Sequence, residues 1–146
     1  MAKKKVFLVL DGNALLHRAW HAIPPLTTSS GQVVNAVYGF LNIIEKMREQ
    51  YAPDFMAVAW DLPGATFRHE AYAEYKGTRE KKADELYEQI DVIKDALDVY
   101  GIPSLSAEGY EADDVIATLA KKYAKDDVSV KILSGDMDLL QLVDGA

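Results

Sequence analysis

Seven carboxylates in this chain stand where they can do chemistry on a phosphate. Asp11 directly follows an apolar run, Val6 to Leu10. Asp61 directly follows a second run, Phe55 to Trp60, and Asp136 and Asp138 follow the strand-like stretch Val128 to Leu133. Glu111, Asp113 and Asp114 cluster where an amphipathic stretch begins. Each has an ordinary explanation. Acids at a helix start complement its dipole and free N–H groups. Asp11-Gly12 and Gly135-Asp136 are pairs that also serve turns. The joint pattern has a weaker ordinary explanation, because seven carboxylates brought together cannot all stay ionised without a counter-charge. Hard divalent cations such as Mg²⁺ or Mn²⁺ take oxygen ligands and remove that difficulty. Two such ions, roughly 3.5–4 Å apart, clamp the attacking and leaving oxygens of a phosphodiester. The net charge of −7 equals the number of candidate ligands, so the rest of the chain is balanced. That weakens the objection that an acidic chain makes a poor partner for nucleic acid.

The elements that must position these acids follow from the apolar pattern. Val6 to Leu10, an unbroken apolar run rich in β-formers, reads as a buried parallel strand; Phe55 to Trp60 reads as a second buried strand, Val128 to Leu133 as another, and Ile102 to Leu105 as a shorter one. Helices are expected near Ala14 to His21, from a cap at Asn35 to about Gln50, over Leu86 to Tyr100 and over Ala112 to Lys125. Gly101 stops the third, and a further helix starts over Leu139 to Val143. In the second helix Val37, Phe40, Leu41, Ile44 and Met47 form the apolar stripe. In the third Leu86, Ile90, Ile93 and Leu97 do so, and in the fourth Val115, Ile116, Leu119, Ala120 and Tyr123 face inward. Strands alternating with helices give an α/β fold with a mainly parallel central sheet. Strand ends of one polarity lie on one edge, where α/β ligand sites form. At 146 residues the chain is expected to be one domain, 1–146. The helix that has just begun before Ala146 reads as a domain cut short at the C-terminus.

Other chemistries fit poorly. The chain has no cysteine, which excludes disulfides and thiolate metal sites and fits a reducing cytoplasm. No GxxxxGK[ST], GxGxxG or GxSxG is present. His17, His21 and His69 are scattered and read as surface or loop residues. No apolar window is long enough for a membrane span, and the run after Lys3-Lys4-Lys5 is too short for a secretory signal. The stretch 63–82 has no clean period and is locally basic, with Arg68, Lys76, Arg79, Lys81 and Lys82 against three glutamates. Tyr72 and Tyr75 interleave with those charges, as in a groove that binds single strands.

Together, these residues resemble the 5′-nuclease (flap endonuclease) superfamily, and within it the 5′–3′ exonuclease domain of bacterial DNA polymerase I. The likeness is carried in order by Leu8-Val9-Leu10-Asp11-Gly12-Asn13, Ala59-Trp60-Asp61, Phe67-Arg68 and Tyr75-Lys76-Gly77-Thr78-Arg79. Gly109-Tyr110-Glu111-Ala112-Asp113-Asp114 and Ser134-Gly135-Asp136-Met137-Asp138-Leu139-Leu140-Gln141-Leu142 complete it. The resemblance implies a PIN-like fold with a helical arch over about 63–100, and hydrolysis of DNA near a 5′ end or flap, or of RNA–DNA hybrids, in replication, repair and primer removal. It implies that Asp11, Asp61, Glu111, Asp113, Asp114, Asp136 and Asp138 hold two divalent ions. It places Lys76 and Arg79 on the scissile phosphate, with Gly12, Arg68 and Tyr75 also against DNA. It further implies a natural chain that continues into more nuclease sequence and, in some members, a polymerase. Without that second half, this chain is expected to bind metal and cleave weakly or not at all.

Three rivals differ in what they need. A toxin-class PIN ribonuclease suits the length but leaves the Tyr75 to Arg79 stretch unexplained. A receiver-type signalling domain needs one phosphoacceptor Asp and one Mg²⁺, fewer acids than are present. A non-catalytic DNA- or metal-binding fragment uses the same acids and is separated from the others only by assay.

Overall fold

The computed structural model describes residues 4–61, 81–125, 127–134 and 141–144. Strand β1 (Lys5–Asp11) leads into helix α1 (Gly12–Ala22), and α2 (Asn35–Tyr51) leads into β2 (Phe55–Ala59). Helix α3 (Lys81–Tyr100), β3 (Ser104–Leu105), α4 (Ala112–Tyr123), β4 (Val128–Leu133) and β5 (Gln141–Asp144) follow. The sheet order is β3-β2-β1-β4-β5. The first four strands pair in parallel, with Leu10 facing Val58 on one side and Leu133 on the other. The chain is therefore α/β with a mainly parallel sheet, as expected.

Alternation along the strands divides the core in two. Leu8 and Leu10 of β1, Val58 of β2 with Trp60 just beyond it, and Leu133 of β4 face one side. There they meet Leu15, Leu16, Phe40, Ile44, Leu86, Ile93 and Leu97 from α1, α2 and α3. Val9, Ala59 and Val130 face the other side, where α4 packs through Ala112, Ile116 and Ala120. Asp11 is in phase with Val9, and Asp61 with Ala59, so strand parity aims both acids at the α4 side. Tyr123, expected to face inward, is 41% exposed and meets the ring of Phe7 edge-on at 5.6 Å.

Two expectations are corrected. The run after Leu139 does not begin a helix: Gln141–Asp144 is a strand, antiparallel to β4 with Val130 opposite Val143. A short apolar run carries no period that separates helix from strand, and the open edge of β4 offers backbone groups that a strand satisfies. Asn35 does not cap α2. The N-cap is Val34, which offers no side-chain bond, and Asn35 is buried in the first turn. Gly101 does end α3, at φ +76°, with its N–H on the Asp98 carbonyl. That left-handed geometry suits a residue without Cβ.

Candidate metal centre

Asp11 ends β1 and is also the N-cap of α1, its carboxylate accepting the Ala14 N–H at 3.2 Å. An aspartate here needs no local strain, because a side-chain oxygen at N-cap satisfies a donor the helix leaves free. Asp61 follows β2 and is held twice. Its N–H donates to Asn13 Oδ1 at 2.8 Å, and its Oδ1 accepts the N–H of Ala112, the first residue of α4. Asp114 Oδ2 accepts the Glu111 N–H at 3.1 Å, half of a capping box. Three acids thus use one oxygen to tie down a backbone N–H at a helix start.

Those bonds draw the β1 end, the β2 end and the start of α4 together. Burial pushes the Asp11 carboxyl from 3.8 up to about 6. The Ala14 N–H opposes this, while the negative charges of Asp113 and Asp61 and a hydrogen bond shared with the Asp113 carboxyl add to it. Both charges acting on Asp11 are therefore of its own sign. A half-buried carboxyl hydrogen-bonded to a second, with a third nearby, is a donor set made of oxygen alone and short of positive charge. That fits a hard divalent cation and no soft one. Among the described residues no three candidate ligands stand close enough to enclose an ion by themselves.

Of the residues expected at the site, Asp11, Asp61 and Asp113 are brought together. Glu111 and Asp114 stand beside them at the start of α4, Asp114 committed in part to its own helix. Asp136, Asp138, Arg68, Tyr75, Lys76 and Arg79 lie outside the described residues. Gly12 is buried: a Cβ there would meet Trp60 Cδ2 at 2.6 Å. Packing thus accounts for this glycine, since the Trp60 indole, stacked on Phe40 at 5.5 Å, leaves no room for a side chain. Asn13 has no role that the sequence alone assigns, yet it fixes the backbone of Asp61. Its only signal is an amide two residues after a strand-end acid.

A family model described as "5′-3′ exonuclease, N-terminal resolvase-like domain" matches residues 6–146. DNA polymerase I of Bacillus subtilis (strain 168) is 48% identical over 142 residues, which is 97% of this chain and 16% of that one. A 5′-3′ exonuclease of Aquifex aeolicus (strain VF5) is 47% identical over 139 residues, 95% of this chain and 48% of that one. The chain thus spans about half the length of one of these relatives and less than a fifth of the other. Among solved structures, a T5 5′-exonuclease with bound zinc has a TM-score of 0.53 at 22% identity, covering 88% of this chain and 55% of that one. A T5 flap endonuclease in complex with DNA and metal ions has a TM-score of 0.54 at 19% identity, covering 96% of this chain and 58% of that one.

Proposed function

From the premise that this chain belongs to the 5′-3′ exonuclease family, N-terminal resolvase-like domain, we propose that it carries the metal-binding and phosphate-handling core of a structure-specific 5′ nuclease. Its substrate is DNA with a 5′ end or flap, or an RNA–DNA hybrid. The observation that carries this reading is the half-buried Asp11 carboxyl with the carboxylates of Asp113 and Asp61 against it, its burial and their like charge holding it near 6. Carboxylates arranged in this way repel one another, and a cation relieves them.

Asp11, Asp61, Glu111, Asp113 and Asp114, with Asp136 and Asp138, are the residues that would hold two Mg²⁺ or Mn²⁺ ions. When bound, the ions supply charge neutralisation and an activated water for attack on a phosphodiester. The chain's own residues do the rest. Asp11 and Asp61 each keep one oxygen on a backbone N–H, so their other oxygens are presented in fixed directions. Fixed ligands spare the site reorganisation as charge develops. Lys76 and Arg79, on the arch expected over 63–100, offset negative charge on the phosphoryl oxygens. Arg68 contacts the backbone, and Tyr75 offers a ring to an unpaired base.

The test is cleavage of a 5′-flap DNA in Mg²⁺, Mn²⁺ or EDTA by the chain and its Asp11→Ala variant. Metal-dependent cutting near the flap junction, lost in Asp11→Ala, supports an active nuclease core. Metal-dependent stabilisation without cutting, again lost in the variant, favours the non-catalytic metal-binding reading. A chain that neither cuts nor responds to metal refutes both.

A further inference from the structure

Gln89 is the most deeply buried polar residue described, at 1% exposure, on the face of α3 that also carries Leu86, Ile93 and Leu97. Burying an amide costs free energy unless every polar atom is partnered. Here each one is. Oε1 accepts the N–H groups of Ala36 and Val37 at 2.8 and 3.0 Å. Nε2 donates to Asn35 Oδ1 and to the Glu85 carbonyl, both at 3.1 Å. An apolar residue would have continued the α3 stripe at no such cost. Helix α2 begins without a cap of its own, so Gln89 supplies the missing acceptor from another helix.

The network continues beyond α2. Asn35 Nδ2 donates to the carbonyls of Trp20 and Ile23 at 3.3 and 3.2 Å, which close the C-terminal end of α1. The two helices touch where Gly39 meets Ala19; a Cβ on Gly39 would lie 2.9 Å from Ala19 Cβ. At the other end of α1 stand the Asp11 cap, Gly12 against Trp60, and Asn13 on the Asp61 N–H. An eleven-residue helix is a rod of about 16 Å, so a tilt at one end displaces the other.

Resting on the nuclease reading above, we propose that Gln89 is a positioning residue for the carboxylate cluster, acting through Asn35 and α1. It contacts neither acid nor substrate. It fixes the far end of the helix whose first turn aligns Asp11 with Asp61.

Two variants separate capping from positioning. Gln89→Met removes every bond. Gln89→Glu keeps an acceptor for Ala36 and Val37 but turns an oxygen towards Asn35 Oδ1 and the Glu85 carbonyl, which breaks the link to α1. Free Mn²⁺ is followed by electron paramagnetic resonance in titrations of the wild-type chain, Asp11→Asn and both variants, with urea unfolding run beside them. The expected result is Mn²⁺ affinity weakened about tenfold in both Gln89 variants, as for residues that orient ligands from outside the site. The glutamate variant, which also buries a carboxyl against two acceptor oxygens, should lose the more stability. Affinity within about twofold of wild type in either folded variant overturns the inference and leaves Gln89 a structural cap. A wild-type chain whose Mn²⁺ binding does not depend on Asp11 overturns the metal-site reading itself, and this inference falls with it.

Discussion

Among the described residues, one face of the sheet carries three helices and the bulkiest fully buried side chains, Trp60 and Phe40. The other carries, among the described residues, one helix that approaches on Ala112 and Ala120. Asp11, Asp61 and Asp113 belong to the lighter face. Charge is costly wherever aliphatic packing is dense, so the three-helix side supplies stability while the one-helix side leaves acids partly wet. The difference shows that a site and the scaffold that holds it can be divided between the odd and even residues of the same strands. Val9 and Asp11 serve one purpose, and Leu8 and Leu10 the other.

The largest expected effect breaks the heavier side. Phe40→Ala removes the ring stacked on Trp60 and leaves a cavity, costing about 3–5 kcal/mol. Urea unfolding checks it. A cost no greater than that of Ile116→Ala, on the α4 side, would remove the distinction between the faces.

A middle effect strikes where the two sides meet. Gly12→Ala places a methyl on the Trp60 indole, at 2.6 Å from Cδ2, for an overpacking cost of about 1–3 kcal/mol. Metal affinity should fall as well, because Gly12 follows Asp11 directly. Calorimetric Mn²⁺ titration and thermal unfolding read the two effects separately, and a neutral Gly12→Ala would show that the indole has room to move.

The smallest effect sharpens the comparison through pH. The folded pKa of Asp11, about 6, lies above its ordinary 3.8. The folded chain therefore binds the proton more tightly than the unfolded one. Without metal, this group's contribution falls as pH rises from about 4 to about 6 and stays unfavourable above that. Asp11→Asn keeps an acceptor for the Ala14 N–H and removes the titration. It should be more stable than wild type by about 1–2 kcal/mol at pH 7 and no more stable at pH 4. Urea midpoints at the two pH values test this. An equal difference at both would mean that the carboxyl is not held in its neutral form.

Much of this arrangement is legible in the order of the residues. Asp11 and Asp61 can be placed on one sheet edge because each ends a short apolar run, and a run of that kind is local information. Asp113 can be placed at a helix start for the same reason. What escapes is contact between distant segments. The Asn13 to Asp61 bond spans 48 residues and the Gln89 to Asn35 bond spans 54. An amide leaves no periodic trace of its partner, so Asn35 reads as a cap and Gln89 as one more polar position on a helix. The strand at Gln141–Asp144 escapes for a related reason: its conformation is set by the open edge of β4, not by its own short run of residues.

The place of β1 at the centre of the sheet also bears on how the chain is made. Strand β1 pairs with β2 on one side, but Lys5 finds its partner on the other side only at Val128. Pairings between residues so far apart in sequence are slow to form. On a ribosome, β1 keeps one flank open until nearly the whole of this chain has emerged, and open strand flanks invite mispairing. Asp11 likewise meets Asp113 only after α4 has been translated. The cluster is thus assembled late, and a nascent chain carries the acid that opens the site long before it carries the site.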